Sequence, residues 1–329
     1  PDTPGMQRLL ADADAKARSG AGLNDPSPAA IVTCFRDGVG ATMDEGLEIE
    51  GQEFARLAQG DVAQNRIRAF FSMGAARKAA TRPAGVAAFK PARLGILGAG
   101  MMGRGLAEVA ALRGLDVVLL DRDRAAAEAG LAFVRESLGK AQARGRVKAA
   151  NAEAALARIR PTEDVADLAG VEAIIEAVYE DRAVKAEITP RVIAAAGEGV
   201  LFASNTSKLP ITSLAEASPR PDRFIGMHFF SPVPRMALLE IILGEKTGPE
   251  AHAQALDLGR LLGKTAIVVR DGRGFFTSRV FSTYINEGIA MLAEGVDPAL
   301  IEDAGKQAGM PTGPLAMADE ISQETMLRI

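Results

Sequence analysis

Beyond residue 92, short apolar runs alternate with longer stretches whose apolar positions recur at helical spacing. The runs Leu94–Leu97, Val117–Leu120, Ala173–Ile175, Val200–Ala203, Phe224–Phe230, Leu238–Leu243 and Ala266–Val269 read as strands. Between them Met101–Arg113, Arg124–Ala143, Asp181–Ala196 and Glu250–Leu262 read as helices. Strands that are apolar at nearly every position, alternating with helices, predict an α/β fold: a doubly wound, mainly parallel sheet covered on both faces. The strands stop near residue 272. Helical patterns at Phe275–Glu294 and Pro298–Ala308 then predict an all-α domain over 273–329, of which only the start is present, because the chain ends in mid-pattern. Residues 1–92 differ in texture again. They carry helical stretches at Glu45–Leu57 and Asp61–Ala76, and a basic, proline-containing segment, Arg77–Pro91, that reads as a connector.

Composition narrows the classes that fit. A chain of 329 residues is too long for one ordinary core, so two or three packed units are expected. A net charge of −4, without basic runs interleaved with aromatics, argues against nucleic acid as a partner. The lone Cys34 excludes an internal disulfide, and with only two histidines no metal site is expected. No apolar run reaches the roughly 20 residues a membrane span needs. The chain starts at Pro1 without an export signal and reads as a cytoplasmic fragment of a larger polypeptide. Its richness in Ala, Arg and Gly suggests a bacterial source, with the mitochondrial matrix as the alternative setting.

The segment Gly98-Ala-Gly100-Met101-Met102-Gly103 follows a short strand and opens a helix. In a dinucleotide-binding turn the first glycine permits the tight bend, the second lets the backbone approach a pyrophosphate, and the third brings helix and strand together. The pyrophosphate would rest on free N–H groups at the helix N-terminus. The next strand ends in Asp121, a carboxylate placed to accept from both adenosine ribose hydroxyls and to repel a 2′-phosphate, which favours NAD over NADP. The competing reading is a glycine-rich packing turn beside an unrelated surface acid. Further on, His228 closes an apolar strand, and Glu240 interrupts another one. A buried carboxylate needs a partner, and a His–Glu pair supplies one while making a general base for removing an alcohol proton. A satisfied core histidine beside a structural acid would give the same spacing. The cluster Ser204-Asn205-Thr206-Ser207-Lys208 follows a strand, where its hydroxyls either hold a substrate oxygen or cap the next helix. The other histidine, His252, lies on an Ala-rich helix and reads as a solvated surface residue.

In this order and spacing, Gly98–Gly103, Ser204–Ser207 and the segment from His228 to Glu240 resemble the 3-hydroxyacyl-CoA dehydrogenase family. The resemblance spans about Arg93 to Asp319, and Met227-His-Phe-Phe-Ser231-Pro-Val is its most specific part. It implies a Rossmann-type NAD-binding domain over 93–272, with His228 as the base, Glu240 orienting it and Ser207 on the substrate hydroxyl or ketone. It also implies that Glu180 and Lys185 lie near the nicotinamide end of NAD. Ser231 and Ser278 stand where many single-function members carry Asn, and multifunctional members often carry Ser or Thr, so both are candidate substrate contacts. Gly309–Pro314 followed by Asp319 and Glu320 is similar to the family's helical domain, which contributes to a dimer and closes over the acyl-CoA. Residues 1–92, chiefly Asp44–Ala58 and Asn65–Arg77, are similar to the linker and tail that follow the enoyl-CoA hydratase part of a fatty-acid-oxidation complex alpha subunit. A thiolase (beta) subunit is the partner that this resemblance implies. Three alternatives stay open on the sequence alone: a dehydrogenase of a non-CoA 3-hydroxy acid, an NAD-binding piece without catalysis, and a parent whose dominant activity is hydration.

Overall fold

The computed structural model describes residues 3–19, 24–79 and 82–321. The last residues of the expected all-α domain, 322–329, lie outside the described residues. Four helices come first: α1 (Pro4–Ala17), α2 (Ser27–Gly38), α3 (Met43–Gln59) and α4 (Asp61–Ala79). The start of α3 follows from its sequence. The Thr42 hydroxyl accepts from the Glu45 N–H at 3.4 Å, and the Glu45 carboxylate returns to the Thr42 N–H at 2.8 Å, a reciprocal capping box.

The α/β part then runs β1 (Arg93–Leu97), α5 (Met101–Leu112), β2 (Asp116–Leu120), α6 (Arg124–Ala143), α7 (Ala149–Ala157), β3 (Ile159–Thr162), β4 (Ala173–Glu176), α8 (Arg182–Ala196), β5 (Leu201–Ser204), α9 (Ile211–Leu214), β6 (Phe224–Phe229), β7 (Leu238–Leu243), α10 (Pro249–Leu261) and β8 (Thr265–Arg270). Helices α11 (Thr277–Ala293), α12 (Pro298–Gln307) and α13 (Pro314–Ile321) close the described chain. The strands form one sheet in the order β3-β2-β1-β4-β5-β6-β7-β8. Every neighbouring pair is parallel except β6 with β7. The doubly wound, mainly parallel sheet read from the sequence is therefore present.

Strand alternation sorts the core onto the two faces of this sheet. Leu94, Ile96, Val117, Leu119, Ile225 and Met227 face one cluster, completed by Leu106 and Ala107 of α5 and Leu256 of α10. Leu97, Val118, Leu120, Ile174, Phe202, Phe224 and Ile242 face the other, with Val192 and Ile193 of α8. Each fully buried Leu, Ile or Phe of this kind stabilises the fold by about 1.5–3 kcal/mol.

Contacts divide the described chain into two compact units. One is Ala76–Val280; the other joins the helical segments on either side of it in sequence. Within the helical unit α1 lies on α2, α2 on α3, and α12 on α13. There Glu302 accepts the N–H groups of Leu315 and Ala316 at 2.8 and 3.2 Å, fixing the first turn of α13. Within the sheet-bearing unit the connector is docked. Arg82 meets Asp257 of α10 at 2.9 Å and donates to the carbonyls of Val86 and Ala87, and the same Asp257 accepts the Phe89 N–H.

Two sequence readings need correction. His252 is half-buried rather than solvated: α10 lies against the sheet, and the Nε2 atom is enclosed without a partner among the described residues. Burial lowers its pKa. Strand β3 was not read at all. Its sequence, Ile-Arg-Pro-Thr, is mixed, and Pro161 is tolerated because the strand sits at the sheet edge. No helix among the described residues is long and apolar enough to cross a membrane.

Candidate active site

Strands β1 to β6 run the same way and deliver their following loops to one edge of the sheet. The chain lays β2 and β3 to one side of β1, and β4 onward to the other. Loops diverge at such a switch point and leave a crevice beyond the carboxyl ends of the strands. The glycine turn after β1 lies there. Gly98 has φ +91°, and a Cβ on it would stand 2.6 Å from the Ala177 carbonyl oxygen just after β4. A Cβ on Gly103 would stand 1.7 Å from the Gly98 carbonyl oxygen. Both close approaches exclude any side chain. Gly100 precedes α5 with open space where its Cβ would be, and no side chain caps that helix. The first-turn N–H groups of α5 thus present a positive helix end that no side chain caps among the described residues. Asp121 takes the Ala99 N–H at 2.6 Å and the Arg122 N–H at 2.7 Å, one on each oxygen, which leaves further acceptor capacity on both. Arg122 turns away to Asp123 at 3.1 Å. Met101 is exposed and Met102 packs partly into the core. A cradle of backbone with an acid at the next strand end fits a dinucleotide.

Antiparallel pairing of β6 with β7 puts His228 directly opposite Glu240. Their side chains share the face of the sheet that carries Phe224 and Ile242, and His228 Nδ1 lies 2.7 Å from Glu240 Oε2. Glu240 is fully buried and His228 nearly so. Two successive residues with left-handed backbone, Gly274 (φ +68°) and Phe275 (φ +48°), bend the chain between β8 and α11. For a phenylalanine that conformation is strained and persists only where its surroundings enforce it. The bend delivers the N–H groups of Phe276 and Thr277 to Glu240 Oε1, at 3.1 and 2.9 Å, and the Thr277 hydroxyl to Oε2, at 2.6 Å. Burial alone would push the Glu240 carboxyl up; the bonds from His228 and Thr277 outweigh it and hold the group below the usual glutamate value. An ionised carboxylate on Nδ1 leaves Nε2 of His228 as the nitrogen that can take a proton. The ring is lined by Phe230 and Phe275, with centroids 4.4 and 6.1 Å away.

A second polar network lies at the ends of β4 and β5. Glu176, at the end of β4, accepts from Lys185 Nζ at 2.7 Å, from Ser204 Oγ at 2.7 Å and from the Val178 N–H at 2.9 Å. Lys185 also lies 3.2 Å from Glu180. Glu180 in turn accepts the Thr206 hydroxyl and, at 3.1 Å, the Ser207 N–H. The cluster after β5 does not cap α9, whose first N–H groups go to Asp271. Thr206 instead braces its own turn by accepting from the Leu209 N–H at 2.9 Å. The Ser207 hydroxyl has no partner among the described residues, while the Ser207 carbonyl accepts from Ser278 at 3.2 Å. Asn205 ties this loop to the neighbouring strand by accepting the Phe229 N–H at 2.8 Å. Ser231 donates to the Met101 sulfur at 3.7 Å and so lies against the glycine turn.

The sequence-predicted residues therefore fall into linked groups: His228 with Glu240, Glu180 with Lys185 and Ser207, Ser207 with Ser278, and Met101 with Ser231. Sequence reasoning gave no role of their own to Glu176 and to Asn205, which it named only within the polar cluster, and it passed over Thr277. Glu176 carried a signal related to that of Glu240: it ends an apolar run, where Glu240 interrupts one. Thr277 carried none, because its contact depends on the left-handed bend before it.

A family model described as "3-hydroxyacyl-CoA dehydrogenase, NAD binding domain" matches residues 93–272, and the model of that enzyme's C-terminal domain matches 274–329. The chain is 35% identical over 307 residues to a fatty acid oxidation complex subunit alpha of Shewanella sp. (strain W3-18-1), covering 93% of this chain but 43% of that protein. It thus spans less than half the length of that relative. Among solved structures, an (S)-3-hydroxybutyryl-CoA dehydrogenase from Ralstonia eutropha superposes with TM-score 0.71 at 41% identity, over 73% of this chain and 85% of that one. A 3-hydroxybutyryl-CoA dehydrogenase from Escherichia coli K12 gives 0.70 at 32% identity, over 73% of this chain and 51% of that one.

Proposed function

The chain belongs to the 3-hydroxyacyl-CoA dehydrogenase family, and we propose that it oxidises (S)-3-hydroxyacyl-CoA to 3-oxoacyl-CoA with NAD as hydride acceptor. The observation that carries this reading is the buried His228–Glu240 pair at 2.7 Å, on the sheet edge that also bears the glycine turn. NAD, when bound, supplies the carbon that accepts the hydride. Gly98, Gly100 and Gly103, with Met101 and Met102, form the turn for its pyrophosphate, and Asp121 is the acceptor for its adenosine ribose. Glu180 and Lys185 stand on the nicotinamide side.

His228 Nε2 takes the C3 hydroxyl proton, and Glu240 compensates the imidazolium that results. A base placed in this way contributes about 10²–10⁴-fold. Ser207, buttressed by Ser278, holds the C3 oxygen as it becomes a ketone, and Ser231 lines the acyl-CoA side. Residues 1–92 are the linker and tail after a crotonase-like hydratase domain, 93–272 the NAD-binding domain, and 273–329 the start of the helical domain. In that setting the parent is a bifunctional hydratase–dehydrogenase of fatty acid β-oxidation in the cytoplasm. It dimerises through the helical domain and associates with a thiolase subunit.

The test is NADH formation from (S)-3-hydroxybutyryl-CoA, its (R) isomer and free 3-hydroxybutyrate. Turnover confined to the (S)-CoA thioester is expected; equal turnover of the free acid would replace the substrate class, and no turnover of any would overturn the reading.

A further inference from the structure

Four polar side chains at the ends of β4 and β5 and on α8 are almost wholly enclosed: Glu176 is 1% exposed, Lys185 2%, and Ser204 and Thr206 0%. Taking a lysine and a glutamate out of water is costly, and their attraction offsets that cost only when the remaining polar atoms are satisfied too. Here they are satisfied in sequence. Glu176 receives Lys185, Ser204 and the Val178 N–H; Lys185 reaches on to Glu180; Glu180 receives the Thr206 hydroxyl and the Ser207 N–H. The backbone of Glu176 is engaged as well. Its carbonyl accepts the Asn205 N–H at 2.7 Å, and the Asn205 side chain accepts the Phe229 N–H, one residue after His228. The next residue, Ala177, forms the wall against which Gly98 turns. One acid is thus linked to the dinucleotide turn through Ala177, and to the Ser207 loop and the strand end that carries His228 through Asn205.

We infer that Glu176 is a positioning residue for the reaction: acting through Lys185 and Glu180, it fixes the turn that presents Ser207. The ammonium of Lys185 joins the two carboxylates, so Glu176 and Glu180 are held at one spacing. Glu180, about a quarter exposed, is the member of this three-residue ion chain that reaches the surface. This inference rests on the dehydrogenase reading.

The test uses two near-isosteric variants, Glu176→Gln and Thr206→Val, and their combination. NADH affinity is measured by fluorescence titration, which also reports that each variant is folded, and kcat by acetoacetyl-CoA-dependent NADH oxidation. Displacing a positioned group by about 1 Å costs on the order of a hundredfold. Each single variant is therefore expected to lose roughly ten- to a hundredfold in kcat, with NADH affinity held within about threefold. The double variant should be no worse than the weaker single, since both cut the same chain of contacts. Should Glu176→Gln fail to fold, Thr206→Val carries the test alone. Unchanged kcat in Thr206→Val, additive losses in the double variant, or a loss of NADH affinity at constant kcat would each overturn the inference. Failure of the dehydrogenase reading looks different: the unaltered protein itself would then give no acetoacetyl-CoA-dependent turnover.

Discussion

Glu240 receives four donors on two oxygens, and the contest between burial and those bonds sets its charge. Its pKa in the folded chain is depressed, so the stability it contributes is fully present above the usual glutamate value and is lost as pH falls through the lower folded value. Replacing Thr277 by Val removes the hydroxyl that shares Oε2 with His228. A hydrogen bond to a charged group is worth about 1.5–3 kcal/mol. Thr277→Val should therefore lower kcat by roughly tenfold or more and move the onset of acid unfolding to higher pH, checked by steady-state rates and pH-stepped circular dichroism. At this scale the sequence was legible where chemistry contradicted its surroundings. A histidine ending an apolar strand and an acid inside one were visible as His228 and Glu240, and they prove to face each other across β6 and β7. The contacts of Thr277, Phe276 and Asn205 were not legible, because ordinary residues acquire their contacts from turns and register that no local pattern displays.

Among the elements, the turn after β1 tolerates the least change. Gly103→Ala would press a methyl against the Gly98 carbonyl oxygen at 1.7 Å, and the conflict can be relieved only by moving α5 or the turn itself. The expected outcome is loss of measurable NADH binding, read by fluorescence titration, with the helical content of the chain retained. Helix α5 holds a second testable feature. Glu108 is buried, and burial raises its pKa despite a bond from Ser137. An acid with a raised folded pKa contributes stability below its unfolded value and loses it as pH rises through the folded value. Glu108→Gln should therefore raise the melting temperature at pH 8 and leave it nearly unchanged at pH 4, as differential scanning calorimetry would show. Seven of the eight strands were readable because buried parallel strands are apolar at almost every position. The exceptions have physical causes: β3 is an edge strand of mixed composition, and α7 is so rich in alanine that no apolar stripe stands out.

Across the whole molecule, function depends on which strands become neighbours. Separate segments supply the glycine turn, Glu176, the Ser207 loop, His228 and Glu240, and only the strand order and the β6–β7 register bring them to one edge. Alternation of strands and helices foretold a doubly wound sheet and hence a crevice at its carboxyl edge. The reversal between β6 and β7, which creates the His228–Glu240 register, is a tertiary choice: an apolar run reads the same in either direction. The docking of the connector through Arg82 on Asp257 is likewise a contact between distant parts of the chain, and a basic, proline-containing stretch gives no sign of it.

The central claim is that His228 moves the proton at C3. The most direct measurement is single-turnover oxidation of bound NADH by acetoacetyl-CoA, in which the same imidazole must return its proton, for the unaltered protein and His228→Gln, with NADH affinity determined alongside. The expected result is a rate about 10²–10⁴-fold lower in His228→Gln at unchanged NADH affinity. A His228→Gln rate within a few-fold of the unaltered protein would contradict the account.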